Sequence, residues 1–272
     1  MLRESVASSG VIVLQSPLLE AAGFRHAFST RLGGVSPEPL GALNLQSPQA
    51  NARITQDAPR DSDEALHENH ARFFVAAGLA RESVVADASQ VHGSRVVTAI
   101  ETTRARAEAD AMTSARGGPA VLIRVADCVP ILLGCPKTGA VAAIHAGWRG
   151  VVAGVVPAAI AALSRLGVDP RHGLAAIGPS ISLAHFEIGS EVAEALSAAD
   201  LASCVTDPGV HGPKHHADLV AAVALQLTRC GLPAAQIDAQ PPCTYADARR
   251  FHSFRRDGAR SGRLAAIVAP LA

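Results

Sequence analysis

Aromatic side chains are scarce in this chain: one tryptophan, one tyrosine and seven phenylalanines make up 3% of its 272 residues. The core must therefore be assembled mainly from small aliphatic side chains. An excess of charge is missing too, since 24 Lys and Arg balance 24 Asp and Glu. Binders of nucleic acid or of an anionic membrane usually need a basic excess, so the balance argues against both, although a local patch would escape that argument. No cysteine pairing pattern is present. Five cysteines, an odd number, are scattered without a CxxC word, which excludes a disulfide framework and points to free thiols in a reducing, cytoplasmic setting. No run approaches the roughly 18 apolar residues that span a bilayer. Val11 to Leu14 is too short for a signal-peptide core of about 7 to 15 apolar residues. A soluble, cytoplasmic protein with a substantial core is expected.

The chain can be divided into elements by its periodicity. Residues 1–50 read as strand and loop, with His26 to Leu45 rich in Gly, Ser and Pro. Residues 51–62 are polar and expected to be mobile. Leu66, His70, Phe73, Phe74 and Ala77 recur at three- and four-residue steps, predicting a helix over Asp63 to Leu79 that Gly78 ends. Val84 to Ala86, Arg95 to Ile100, Ala120 to Val125, Ile131 to Leu133 and Ala140 to Ile144 predict strands, the last two joined by the hairpin word GCPKTG. Trp148 to Leu166 reads as a helix that Pro157 should kink or break. Leu174 to Ile177 predicts a strand, Val192 to Leu196 and Asp218 to Cys230 predict helices, and Phe251 to Phe254 and Leu264 to Val268 predict closing strands. No repeat, linker or low-complexity tract divides the chain, so one mixed α/β (α+β) domain over residues 1–272 is expected.

Three short words carry the chemistry: QVHG (Gln90 to Gly93), ADC (Ala126 to Cys128) and HAGWRG (His145 to Gly150). Each places His92, Cys128 or His145 at the edge of a β-like run, where side chains from separate strands can converge. Zinc accepts imidazole nitrogen and thiolate sulfur, and three protein ligands with a fourth position open is the catalytic arrangement. The separations, 36 and 17 residues, are unlike a zinc finger's close pairs. On the residues alone a plainer reading stays open, with Cys128 a small buried hydrophobe and the histidines ordinary polar contacts. Asp127 and Gln90 can each orient a ligand histidine or simply cap a strand end. The HGPKHH run (His211 to His216) reads as exposed loop histidines rather than a second metal site, and Cys135, Cys204, Cys230 and Cys243 as packing residues.

Taken in order, QVHG, ADAMTS, LIRVADCVPILL and AAIHAGWRG resemble the YfiH-like "laccase-domain" family. Its members are called multicopper polyphenol oxidoreductase, peptidoglycan editing factor or purine nucleoside phosphorylase. STRLGGVS with ALNL, the helix word ENH, IGPSIS with FEIG, and CT followed by FHSFRRDGARSGR fall in the same order, so the resemblance spans about residues 24 to 268. Ala27, where glycine is common, and Leu183 to Phe186 depart from the pattern without touching the three candidate ligands. The resemblance implies a layered sandwich of mixed sheets with flanking helices, and zinc (copper being possible) bound by His92, Cys128 and His145. It also implies phosphorolysis of adenosine, inosine and 5′-methylthioadenosine, with deamination of adenosine. The partners are then a small nucleoside and phosphate, with no nucleic acid and no membrane; the oligomeric state is left open.

Phosphorolysis needs an anion site, and the planar fork of arginine meets two phosphate oxygens at once. Arg31, in the TRLGG loop, is the first choice for a catalytic anion ligand. Arg149, at a helix start, and Asn44 are further candidates for substrate binding. Arg255 and Arg256 read as a solvated basic loop. The paired H-x-E and P-C-x-x-C words of known zinc deaminases do not occur together here. Nor does any HxH word, which argues against a multicopper laccase. Three alternatives stand beside the phosphorylase: a cysteine or zinc hydrolase that edits peptidoglycan precursors with Cys128 as nucleophile, a weak copper-dependent polyphenol oxidase, and a metal-stabilised binding module.

Overall fold

In the computed structural model, residues 1–54, 58–104 and 106–272 are described. The strands in chain order are β1 (Arg3–Val6), β2 (Ile12–Gln15), β3 (His26–Ser29), β4 (Val85–Asp87), β5 (Val96–Thr98), β6 (Ala111–Ser114), β7 (Ala120–Val125), β8 (Val129–Gly134), β9 (Val141–Ala146), β10 (Leu174–Ile177), β11 (Glu187–Ile188), β12 (Val205–Thr206), β13 (His215–Ala217), β14 (Ile237–Asp238) and β15 (Leu264–Val268). Among the described residues they form two six-stranded sheets, ordered β1-β2-β3-β15-β7-β4 and β14-β10-β8-β9-β6-β5, and a small sheet β11-β13-β12. Both large sheets are mixed: β7 runs parallel to β4 and antiparallel to β15, and β6 runs parallel to β5 and antiparallel to β9.

Side-chain alternation along these strands builds the layers. Val121, Ile123 and Val125 of β7 point inward and meet Leu132 of β8 and Val141 and Ala143 of β9 between the sheets. Ala120 and Leu122, of the opposite parity, face outward onto Phe73 and Ala77, packed from the helix Asp63–Ala76 and its end. On the far side Ile131, Leu133, Ala142 and Ile144 face the helices Val155–Arg165 and Leu219–Arg229. Strands covered on both faces read as unbroken apolar runs rather than alternating ones. This is the expected layered sandwich of mixed sheets with flanking helices.

Several local expectations change. The run Arg95 to Ile100 is β5 followed by the helix Ala99–Arg104. Thr98-x-x-Glu101 is a capping-box word, and Glu101 Oε2 accepts from Thr98 N (2.6 Å) and Thr98 Oγ1 (2.8 Å). Trp148 to Leu166 is two helices, Trp148–Val152 and Val155–Arg165, broken at Gly154 with φ +78°. Pro157 lies in the first turn of the second helix, where its missing N–H costs nothing. Phe251 to Phe254 is not a strand; it leads into the helix Phe254–Asp257, whose Arg256 N–H donates to Ser253 Oγ. Within the polar stretch 51–62 the end of helix Pro48–Ala52 is ordered, and buried Asp61 accepts from Ser36 Oγ and Asn44 Nδ2; residues 55–57 lie outside the described residues. His215 and His216 belong to β13, and His216 is buried, so the HGPKHH run is only partly a loop. No described helix is long and apolar enough to cross a membrane.

Candidate metal centre

His145 is the penultimate residue of β9, and its parity with Val141 and Ala143 turns its ring toward the space between the sheets. The β6–β9 register pairs Ala111 with Ile144, so the next pair outward is Asp110 with His145. Across it, His145 N donates to Asp110 O (2.7 Å) and His145 Nδ1 lies 2.8 Å from Asp110 Oδ1. A carboxylate there takes the Nδ1 proton and leaves Nε2 free as a ligand atom.

The same carboxylate shapes the second histidine's loop. Asp110 accepts the backbone N–H groups of Val91 (3.2 Å), His92 (2.9 Å) and Gly93 (2.7 Å). Gln90 ties this loop to β7 through Arg124 O (2.6 Å) and Arg124 N (2.8 Å). His92 is thereby held at φ +61°, a left-handed conformation that a non-glycine residue adopts at a cost. Gln90 therefore positions the loop, without touching a ligand ring.

Cys128 sits in the short connection between β7 and β8, where Asp127 has φ +95°. Asp127 accepts from Thr244 Oγ1 (2.6 Å) and Arg255 N (2.6 Å), and its carbonyl accepts from Ile181 N (3.0 Å). It anchors the turn to two distant segments; the carboxylate that orients a ligand histidine is Asp110. Two features of the site, the tight turn and the His92 loop, thus carry positive φ at non-glycine residues.

One ligand atom each from His92, Cys128 and His145 lies within 4.8 Å of the others. Cys128 Sγ is 3.9 Å from His92 Nε2, and the two imidazoles meet edge to face at 4.8 Å and 78°. Zinc at its usual bond lengths and tetrahedral angle needs about 3.5 Å between sulfur and nitrogen, so the donor set fits that ion with a small inward shift. His145 is buried, Cys128 half-buried and His92 exposed, leaving one side open to a pocket. Burial alone would push the Cys128 thiol up, but the charge of His145 and hydrogen bonds from both histidines outweigh it and bring the thiol down. His145 moves the other way: burial disfavours its charge, while the Cys128 sulfur and Asp110 favour it more strongly. Gly147 closes the back of the site. A Cβ there would stand 2.9 Å from His92 Cδ2 and 3.1 Å from Cys128 Sγ, so only glycine leaves both ligands in place.

The pocket in front encloses about 500 Å³, with the three candidate ligands in its wall together with Arg53, Arg106, Arg124, Arg263 and the ring of Phe254. Among the described residues no carboxylate lines it. Asp87 lies behind and pairs with both Arg106 and Arg124. Burial lowers the Arg263 guanidinium, and the nearby Cys128 and Asp127 favour its charge.

The other expected site residues lie elsewhere. Arg31 lines a separate pocket with Glu38, Arg256, Asp257 and Arg260, and donates to Ala248 O (3.2 Å). Asn44 is buried; its amide donates to Asp61 Oδ2 and accepts from the N–H groups of Gln46 and Arg263, which ties the Gly-rich loop to the start of β15. The Arg149 guanidinium lies over the Trp148 ring at 4.4 Å. None of the three lines the metal pocket. Arg256 is no solvated residue: its guanidinium donates to Thr244 O, Tyr245 O and Phe251 O. The residues not anticipated are Asp110, Arg106, Arg124, Arg263 and Phe254. Asp110, Arg124, Phe254 and Arg263 stand inside the words ADAMTS, LIRVADCVPILL and FHSFRRDGARSGR, which is the signal that could have found them.

Residues 25–270 match the family described as multi-copper polyphenol oxidoreductase laccase. The chain is 34% identical to a protein of Deinococcus radiodurans named purine nucleoside phosphorylase, over 93% of this chain and 92% of that one. It is 34% identical to purine nucleoside phosphorylase YfiH of Escherichia coli, over 96% and 98% of the two chains. Among solved structures, YlmD from Geobacillus stearothermophilus superposes with a TM-score of 0.81 at 24% identity, over 99% of both chains. A Neisseria meningitidis protein superposes with a TM-score of 0.76 at 30% identity, over 100% of this chain and 99% of that one.

Proposed function

We propose that this chain, which belongs to the multi-copper polyphenol oxidoreductase laccase family, is a zinc-dependent purine nucleoside phosphorylase. Its substrates in this reading are adenosine, inosine and 5′-methylthioadenosine, with phosphate as the second reactant. The names borne by the full-length relatives support this reading. The observation that carries it is the pocket itself, a space suited to a small ligand, with the His92, Cys128 and His145 cluster in its wall and arginine as its charged lining.

Phosphorolysis brings a phosphate oxygen to the anomeric carbon as the bond to the base breaks. A phosphate dianion must leave water to do so, and guanidinium groups in a partly enclosed pocket replace that solvation with fixed, bidentate donors. In this proposal Arg106 and Arg263 hold the phosphate, and Asp87 keeps Arg106 and Arg124 extended toward it. Negative charge held there also stabilises the cationic sugar that develops at the transition state. Zinc, when bound by His92, Cys128 and His145, supplies a Lewis acid at the pocket wall. Asp110 holds the Nδ1 proton of His145, so the free nitrogen keeps its lone pair for that role.

Deamination of adenosine, the smaller part of the proposal, needs a group to carry a proton at the attacked ring carbon, which known zinc deaminases supply as glutamate. The absence of a carboxylate from the described lining favours phosphorolysis. A second reading has an observation of its own. Cys128, His145 and Asp110 stand in the order of a nucleophilic cysteine, its base and the group that orients the base. A thiol hydrolase would use that line with no metal bound, because a coordinated sulfur is not free to attack carbon. A multicopper oxidase has the family description on its side but not the residues: among the described residues one group of three such ligands is present, whereas that chemistry needs several copper sites.

Incubation of the zinc-loaded protein with inosine tests the proposal. Hypoxanthine and ribose 1-phosphate should appear together, and only when phosphate is present. Hypoxanthine released without phosphate, or no release at high enzyme concentration, contradicts it.

A further inference from the structure

Phe254 is a ring whose exposure the fold does not explain. In a chain with seven phenylalanines, Phe24, Phe28, Phe73 and Phe251 are buried, while Phe254 is 53% exposed. It is not on a loose segment. Ser253 beside it is fully buried and caps its helix, and Arg255 N on the other side donates to Asp127 Oδ2 (2.6 Å). Asp127 immediately precedes Cys128, so one carboxylate fixes both the backbone that carries the ring and the turn that carries the sulfur. The Arg263 guanidinium lies 5.8 Å from the ring centroid, and the ring also lines the pocket that contains His92, Cys128 and His145.

We infer that Phe254 is the stacking platform for the nucleobase, and that it makes the site selective for purines by overlap area rather than by hydrogen bonds. This rests on the phosphorylase reading for the identity of the substrate. Stacking on an aromatic face is tolerant of ring substituents because every base presents a π-face, and alanine substitution of such rings costs a measurable share of affinity. A bicyclic purine covers more of the phenyl face than a pyrimidine does. The 6-amino and 6-oxo purines are accepted alike, because the platform does not touch the substituent that distinguishes them. The base held on Phe254 leaves its sugar over the arginine-lined part of the pocket, where the phosphate docks.

The test uses the zinc-loaded full chain. In Phe254→Ala the KM for inosine and for adenosine should both rise about tenfold, with kcat within about twofold and zinc content unchanged. Phe254→Leu, which keeps apolar bulk without a π-face, should behave like the alanine variant, and Phe254→Tyr should restore the wild-type KM. In Phe254→Trp the added indole emission should be quenched by adenine and inosine at lower concentrations than by uridine. That binding signal separates the two proposals. Quenching by purines without any phosphorolysis keeps the platform and removes the reaction. Phosphorolysis with an unchanged KM in Phe254→Leu, or equal quenching by purine and pyrimidine, overturns the platform and leaves the reaction standing. Loss of zinc or of the folded state in Phe254→Leu also overturns it, since the ring would then be a structural support.

Discussion

Cys128→Ala is expected to leave the protein folded, to reduce bound zinc from about one ion per chain to a trace, and to slow phosphorolysis by about a thousandfold or more. Lewis-acid stabilisation by a metal is worth several kcal/mol, and each 1.36 kcal/mol is a factor of ten in rate. Removing the thiolate leaves two imidazoles, too few donors to hold the ion tightly at an open site. The fold should survive because Cys128 lies outside β7 and β8, and the turn around it is anchored by Asp127 through Thr244, Arg255 and Ile181. Elemental analysis and a phosphorolysis assay on the same sample check both halves. Cys230→Ala, altered at the end of helix Leu219–Arg229, serves as the control and should retain metal and rate. Full activity in a Cys128→Ala protein that still holds zinc would remove sulfur from the site.

Asp110→Asn should have the second largest effect, although Asp110 touches neither metal nor substrate in the proposed chemistry. Its carboxylate takes His145 Nδ1 and three consecutive N–H groups of the His92 loop while fully buried. Burial works against its ionisation, yet the bonds from His145 and the loop hold the carboxyl below the usual carboxylate range. An asparagine keeps one accepting oxygen and turns an amide donor toward groups that themselves donate. Partners that position metal ligands typically contribute 10- to 100-fold in metal affinity, so zinc should bind about 30-fold more weakly. An unpaired buried N–H costs about 1–3 kcal/mol, and the metal-free variant should lose roughly 2 kcal/mol of stability in urea unfolding. A competition titration against a zinc chelator separates this from the cysteine variant: Asp110→Asn should recover activity at excess zinc, and Cys128→Ala should not. Unchanged zinc affinity in Asp110→Asn would contradict the positioning role.

Three apolar strands could be read from the chain to the residue: Ala120–Val125, Leu174–Ile177 and Leu264–Val268 are observed with the expected ends. The fully buried runs Ile131 to Leu133 and Ala140 to Ile144 are instead Val129–Gly134 and Val141–Ala146, because an apolar run does not mark where its pairing stops. The clustering of His92, Cys128 and His145 was legible from their short words, although only Cys128 and His145 lie at strand ends and His92 sits in the loop between β4 and β5. Asp110 was not, since its role arises from strand register, pairing it with a histidine 35 residues away. The break after Trp148 falls at Gly154, whose left-handed φ no periodicity reveals, whereas Pro157 is harmless in a first turn. Arg31 illustrates the converse. Its Gly-rich surroundings suggest an anion loop, but the chain turns the guanidinium toward Ala248 O and another pocket. The four arginines of this pocket, Arg53, Arg106, Arg124 and Arg263, come from four separate segments that only the tertiary packing brings together.

The most direct measurement is the rate of ribose 1-phosphate formation from inosine as zinc is withdrawn and restored in the wild-type protein. The account predicts that the rate falls in proportion to occupancy of the His92, Cys128 and His145 site, disappears in the stripped protein, and returns when one equivalent of zinc is added. Phosphorolysis that persists at full rate after the metal is gone would contradict it.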